Sequence, residues 1–122
     1  MTVLLLQGDA LLDADGRRRF WLTRQISDAA GQVCWVMLNR SSADATKDDP
    51  TIRRCIGFTR AWGYGRLIVV NLLPWRTSNP KEAMAMHLGP DPENEAHVRS
   101  AMQRSARVVL AWGDAGRFLA EA

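Results

Sequence analysis

Apolar residues gather in short, separated runs. Val33-Cys34-Trp35-Val36-Met37-Leu38 and Leu67-Ile68-Val69-Val70-Asn71-Leu72 show almost no polar alternation, and Arg107-Val108-Val109-Leu110-Ala111-Trp112 is similar. The first two predict strands covered on both faces, as in a parallel sheet, and the last a third apolar strand. Between the first two, Ile52, Cys55, Ile56, Thr59 and Trp62 follow helical spacing. Asp48-Asp49-Pro50-Thr51 opens that helix: Asp49 caps the first amides and Pro50 fits the first helical position. Gly63-Tyr64-Gly65 ends it, with a glycine free to take a left-handed cap. Asp91-Pro92-Glu93 opens a second helix carried by Val98, Ala101, Met102 and Ser105.

The N-terminal stretch, residues 1–25, reads as a β-hairpin. Residues 3–6 form one strand, Asp13-Ala14-Asp15-Gly16 the turn, and Arg19-Phe20-Trp21-Leu22-Thr23 the return. Residues 73–90 form a proline-rich loop with a short helical turn near Lys81, and a further helix begins after Ala115. Strand, helix, strand, helix, strand with right-handed crossovers predicts a three-layer α/β/α domain. Its sheet is expected to be small and mainly parallel, with the hairpin at its N-terminal end.

The 122 residues fit one domain, residues 1–122, and the 24% charged and 47% apolar fractions are those of a globular chain. No apolar run approaches the roughly 20 residues of a membrane span, and no secretory signal is apparent. A cytoplasmic protein with no membrane association is therefore expected. Cys34 and Cys55 lie in apolar stretches, without His or Cys at ligand spacing, so two buried thiols are expected and neither metal nor cofactor. The net charge is +3, and Lys47 and Lys81 are the only lysines among the basic residues. Arginine forks suit phosphate, although a high-GC genome also yields arginine for lysine. The excess is compatible with a nucleic-acid partner and does not require one.

In open α/β sheets ligands bind beyond the carboxyl ends of the strands. Two such ends share their ingredients: Asn39-Arg40-Ser41-Ser42 and Asn71-Leu72-Leu73-Pro74-Trp75-Arg76-Thr77. An asparagine offers a donor and an acceptor, so two facing ones can read the edge of an amide-like ring such as a nucleobase. Asn39, Ser41, Asn71, Trp75 and Arg76 are the candidate ligand residues, with Trp75 as a stacking surface. Arg40, Arg53 and Arg54 are the candidate phosphate residues. The competing reading has each asparagine satisfying its own loop, Trp75 packing as a lid, and Arg53 and Arg54 pairing with Asp44, Asp48 and Asp49. Those acids could bind a metal, but capping explains Asp48 and Asp49 more simply. His97 is expected at the surface of the second helix. His87, in the loop, is a weak catalytic candidate, and no catalytic residue is assigned.

The order of motifs is also informative. Asp48-Asp49-Pro50-Thr51-Ile52-Arg53-Arg54-Cys55-Ile56-Gly57-Phe58, Ala61-Trp62-Gly63-Tyr64-Gly65 and Val69-Val70-Asn71-Leu72 resemble the family known as domain of unknown function 1643. Met37-Leu38-Asn39-Arg40-Ser41-Ser42-Ala43-Asp44 resembles its M-L-N-P-S-T-A-D segment, with Arg40 in place of proline. Leu73-Pro74-Trp75 replaces a more usual Phe-Ala-Tyr. Family members usually continue to a segment containing His-Pro, so the chain is expected to lack that C-terminal piece.

An apolar strand ending in asparagine, with a late His-Pro segment in longer relatives, also looks distantly like the uracil-DNA glycosylase superfamily. That likeness implies chemistry on a flipped-out base, with Asn39 positioning water and Asn71 in the pocket. The leading expectation is a glycosylase-like module that binds a nucleobase or nucleic acid, without full catalysis. The rival is a protein-interaction module that docks on a protein partner, or on a second copy, through an exposed sheet edge. A small-molecule hydrolase using Asp44 or Asp49 is a third reading.

Overall fold

The computed structural model describes residues 7–14, 16–39, 47–75, 81, 85 and 91–111. Five strands form one sheet: β1 (Gln7–Leu12), β2 (Arg19–Gln25), β3 (Gln32–Asn39), β4 (Arg66–Leu73) and β5 (Arg107–Ala111), in the order β1-β2-β4-β3-β5. Helix α1 (Pro50–Ala61) joins β3 to β4, and α2 (Pro92–Gln103) lies between β4 and β5.

The sheet is mixed rather than mainly parallel. β3 pairs in parallel with both β4 and β5, whereas β2 pairs antiparallel with β1 and β4. The runs at residues 33–38 and 67–72 are largely buried strands, as read, whereas β5 is a strand exposed along much of its length. Burial does not encode direction, however, and β2 enters beside β4 antiparallel. The strand that pairs with β2 is Gln7–Leu12; residues 3–6 lie outside the described residues.

Alternation along the central strands sorts the core into two clusters. Leu22, Val33, Trp35, Leu67 and Val69 pack with Ile52, Cys55 and Ile56 of α1. Cys34, Val36, Ile68 and Val70 pack with Ala101 of α2. The two helices therefore lie against opposite faces. This is what right-handed crossovers require, since β3 to β4 steps one way and β4 to β5 steps back over β3. No helix among the described residues is long and apolar enough to cross a membrane.

The predicted ends of α1 form as read. The Asp49 carboxylate accepts from the Ile52 amide at 2.8 Å, and Pro50 takes the first helical position. At the other end Gly63 adopts φ +85°, with Tyr64 N–H donating to the Thr59 carbonyl and Gly63 N–H to that of Arg60. These two bonds satisfy carbonyls that the helix leaves over. Thr59 is fully buried: its hydroxyl donates to the Cys55 carbonyl at 2.7 Å and accepts from Trp35 Nε1 at 3.1 Å. Trp62, expected on the apolar stripe, is instead the capping residue and is partly exposed, because the helical period stops one residue before it. Met102 of α2 is likewise partly exposed, while Ala101 is buried.

Both thiols are buried, and burial pushes Cys34 up to about 11 and Cys55 up to about 12. They stay protonated near neutrality and act as small apolar groups.

Gly65 ties β2 to β4. Its carbonyl accepts from the Ile26 and Ser27 amides at 2.7 and 3.2 Å and from Gln25 Nε2 at 3.1 Å. A Cβ at this position would run into the Ala29 carbonyl oxygen, which is backbone and cannot swing aside. Gly65→Ala is therefore expected to destabilise the domain by about 1–3 kcal/mol, read as a lower urea midpoint. An unchanged midpoint would show that the residues around Ala29 are not held against β4.

Candidate functional site

The carboxyl ends of β3 and β4 lie side by side. Met37 is registered with Asn71 and Asn39 with Leu73, so Asn39 sits two residues beyond the position opposite Asn71 on the neighbouring parallel strand. Asn71 is wholly buried. Alternation puts its side chain on the same face as Leu67 and Val69, the face covered by α1. Its Nδ2 and Oδ1 have no hydrogen-bond partner among the described residues. The expectation that Asn71 satisfies its own loop is thereby corrected: it is a strand residue, and its amide does not serve the turn. Arg40, Ser41, Asp44, Arg76 and His87 lie outside the described residues.

The backbone around Asn71 is also unusual. The β2–β4 ladder runs from Gln25 with Arg66 to Leu22 with Val69. It resumes only where Arg19 N–H donates to the Pro74 carbonyl at 2.8 Å and Arg18 bridges Trp75. In the gap the Asn71 carbonyl accepts from Asn94 Nδ2 of α2 at 2.8 Å. Asn94 is buried and follows the Asp91 cap, whose carboxylate accepts from the Asn94 amide at 3.1 Å. The start of α2 thus replaces a missing sheet bond.

Two arginines of β2 are buried. Arg24 is 3% exposed, and its Nε donates to Asp48 at 2.8 Å and its Nη1 to the Thr23 carbonyl at 2.9 Å. Its Nη2 reaches the Lys47 carbonyl at 3.2 Å. Arg19 is fully buried. The pairing expected between Asp48 and Arg53 or Arg54 does not form; Asp48 serves Arg24, because a buried guanidinium needs a charged partner more than an exposed one does. Arg53 and Arg54 are both exposed on α1. The helix start, which they were expected to flank as a phosphate site, is already occupied by the Asp49 carboxylate.

Trp75, just beyond the carboxyl end of β4, also takes part in a second constellation. It is half-buried, with the Arg18 guanidinium 5.9 Å from its ring centroid. Arg18 also lies 4.8 Å over Phe20. Its Nε donates to Asp13 at 3.0 Å, its Nη1 to Asp91 at 2.9 Å, and its Nη2 to Glu93 at 2.8 Å. Phe20 reaches α2 through a bulge: Leu11 pairs with Trp21 and Leu12 with Arg19, which leaves Phe20 out of the ladder. Its ring stacks on His97 at 4.7 Å. His97 is therefore half-buried rather than a surface residue, and it lines a cleft of about 440 Å³ with Leu11, Asp13, Arg18, Phe20 and Glu93. Sequence reasoning missed this group because Arg18 and Asp91 are far apart in the chain. The one local signal was the acid, glycine and arginine run in the turn. Among the described residues no cluster of His, Cys, Asp and Glu could hold a metal ion.

Residues 19–122 match the family described as protein of unknown function (DUF1643). The chain belongs to this family. Comparison with curated proteins and with solved structures found no match. The DUF1643 region begins at Arg19, the first residue of β2, and takes in β3 with Asn39, β4 with Asn71, both helices and β5. The family description assigns no chemistry, so function has to be argued from the geometry.

Arg18 generates a prediction. Burial alone would raise Asp13, but hydrogen bonds from the Arg18 side chain and from the Arg18 and Arg17 amides, with the Arg18 charge, hold its carboxyl below the usual range. A depressed native pKa adds stability above the ordinary value and loses it as pH falls through the depressed one. Arg18→Met is therefore expected to raise the Asp13 titration midpoint by NMR and to flatten the stability profile below about pH 4. The same variant should lose about 1–3 kcal/mol at neutral pH. An Asp13 midpoint that does not move would refute the assignment.

Proposed function

We propose that the domain binds a nucleobase, free or within a nucleic acid, at the carboxyl ends of β3 and β4, as a glycosylase-like module. The reading takes the domain as three layers, α/β/α, with ligand chemistry at one end of the sheet. The observation that carries it is Asn71, an amide in the interior with neither polar atom bonded among the described residues. Leaving such a group unpaired costs on the order of 1–3 kcal/mol, and a cost of that kind is retained where the group serves a ligand. Asn39, at the end of the adjacent strand, is the second recognition residue. A pair of carboxamides supplies two donors and two acceptors, the complement of a base edge. Ser41, Trp75 and Arg76, with Arg40 on the phosphate side, complete the proposed set.

A second reading has its own observation. β5 has a neighbour on one side only among the described strands, and Leu110 on it is 56% exposed. An exposed apolar residue on an open edge favours a protein partner or a second copy of the chain. Mass in solution distinguishes the two: a dimer that Leu110→Lys dissociates supports the edge reading, whereas a strict monomer argues against self-association.

The base-binding reading is tested with free nucleobases titrated against the ¹⁵N-labelled domain. Shifts at Val70, Asn71 and Leu72 are expected, saturating with one base of the four. Asn71→Leu removes the unpaired amide at nearly constant volume. It should abolish those shifts and leave stability unchanged or raised by about 1 kcal/mol. The proposal fails if no base binds, or if Asn71→Leu binds as the wild type does.

A further inference from the structure

The outer surface of α1 combines exposed cations with exposed aromatic rings. Pro50–Ala61 contains no acid, and Arg53, Arg54 and Arg60 are all exposed. The nearby acids are engaged elsewhere, Asp48 with Arg24 and Asp49 with the helix amide of Ile52. Phe58 is 52% exposed and Trp62 38% exposed. Residues 54, 58 and 62 are four apart, so the arginine and the two rings follow one side of the helix.

The rings form a platform. Phe58 lies 5.7 Å from Trp62, and Trp62 lies 5.5 Å from Trp35, nearly parallel to it at 11°. Trp35 is buried beneath them. Arg107 of β5 places its guanidinium 4.7 Å over Trp62, which extends the positive rim onto the sheet. Gly57 leaves the surface beside Phe58 bare, since a Cβ there would meet nothing within 4 Å.

We propose that this face of α1 binds single-stranded nucleic acid, with Phe58 stacking on an unpaired base and Arg54, one turn before it on the same side, contacting a phosphate, while Arg53 and Arg60 on the far flank of the helix add to the positive field. Basic residues beside an exposed ring suit a strand whose bases are free, because every base offers a ring face and every linkage a charge. A duplex hides its base faces, and an acidic peptide would use the arginines but leave the Phe58 ring without a stacking partner. The inference is carried by this surface alone and would stand if the β3–β4 site bound nothing.

A fluorescein-labelled 12-residue thymidylate strand titrated against the full chain at two salt concentrations tests it. Binding that weakens with salt is expected. Phe58→Ala should weaken it about 10-fold with the salt slope unchanged. Arg54→Ala should reduce the slope by about 0.7. Gly57→Glu, which meets no steric obstacle, should abolish binding while thermal melting is preserved. No binding at low salt overturns the proposal. So does displacement of the strand by a poly-glutamate peptide of equal length together with an unaffected Phe58→Ala, which would mark a general anion surface. Retained strand binding in Asn71→Leu separates this surface from the proposed base pocket.

Discussion

The parallel pairing of β3 with β4 is the constraint on which the rest of the structure depends. Two strands that run the same way cannot be joined by a tight turn, so the chain must cross over between their ends, and α1 is that crossover. The next crossover returns past β3 to reach β5, and right-handedness then puts α2 on the other face. Both helices, both apolar clusters and the adjacency of the Asn39 and Asn71 strand ends follow from one register. The strands are almost wholly apolar up to those residues, so the Asn71 carboxamide is a polar group set within an apolar interior.

The antiparallel half of the sheet is held differently. β2 carries two buried arginines, and Arg24 is satisfied by the segment immediately before α1. Opposite it, Arg18 joins the β1–β2 turn to the cap of α2 through Asp13 and Asp91. Each crossover helix is thus fastened at its N-terminal end to β2 or the turn before it, by one guanidinium. Buried pairs of this kind contribute little net stability, because desolvation offsets most of the attraction. They do fix where each helix starts. A shift of either helix by one residue would strand a buried arginine without its carboxylate, which costs far more than the intact pair contributes.

The two halves were not equally legible in the sequence. The strands at residues 33–38 and 67–72 and the capped helices could be read because their signals are local: an apolar run, an Asp-Pro start, a glycine stop. The direction of β2 could not be read, since Phe20, Trp21 and Leu22 look the same in either orientation. The bulge at Phe20 was invisible for a related reason. It exists because Leu12 skips to Arg19 across the pair, and no property of either residue announces the skip. His97 was misread as a consequence, for its burial depends on the ring that the bulge turns toward α2. Asn39 and Asn71 could be marked as strand ends by position alone. That Asn71 would be buried with its amide unpaired required the geometry of α1 and β4 together.

Asn71 and Phe58 are opposite departures from the ordinary distribution of polar and apolar groups. One is a hydrogen-bonding side chain enclosed in the core without a partner among the described residues; the other is a large apolar ring left more than half in water. The unpaired amide lowers stability relative to a leucine there, while α1 is seated mainly by Ile52, Cys55 and Ile56, with Phe58 packing from outside against Trp62 and Trp35. The α1 residues that pack against the sheet and those that form the outward face are separate sets, so the outer face is free to serve a partner without disturbing the fold. Loss of the Phe58 ring would uncover one side of Trp35 and Trp62, whereas loss of Ile52 would open the core. Half-exposed and one turn from an arginine that no acid of α1 neutralises, the Phe58 ring leaves one face open to a partner while its other side packs on Trp35 and Trp62.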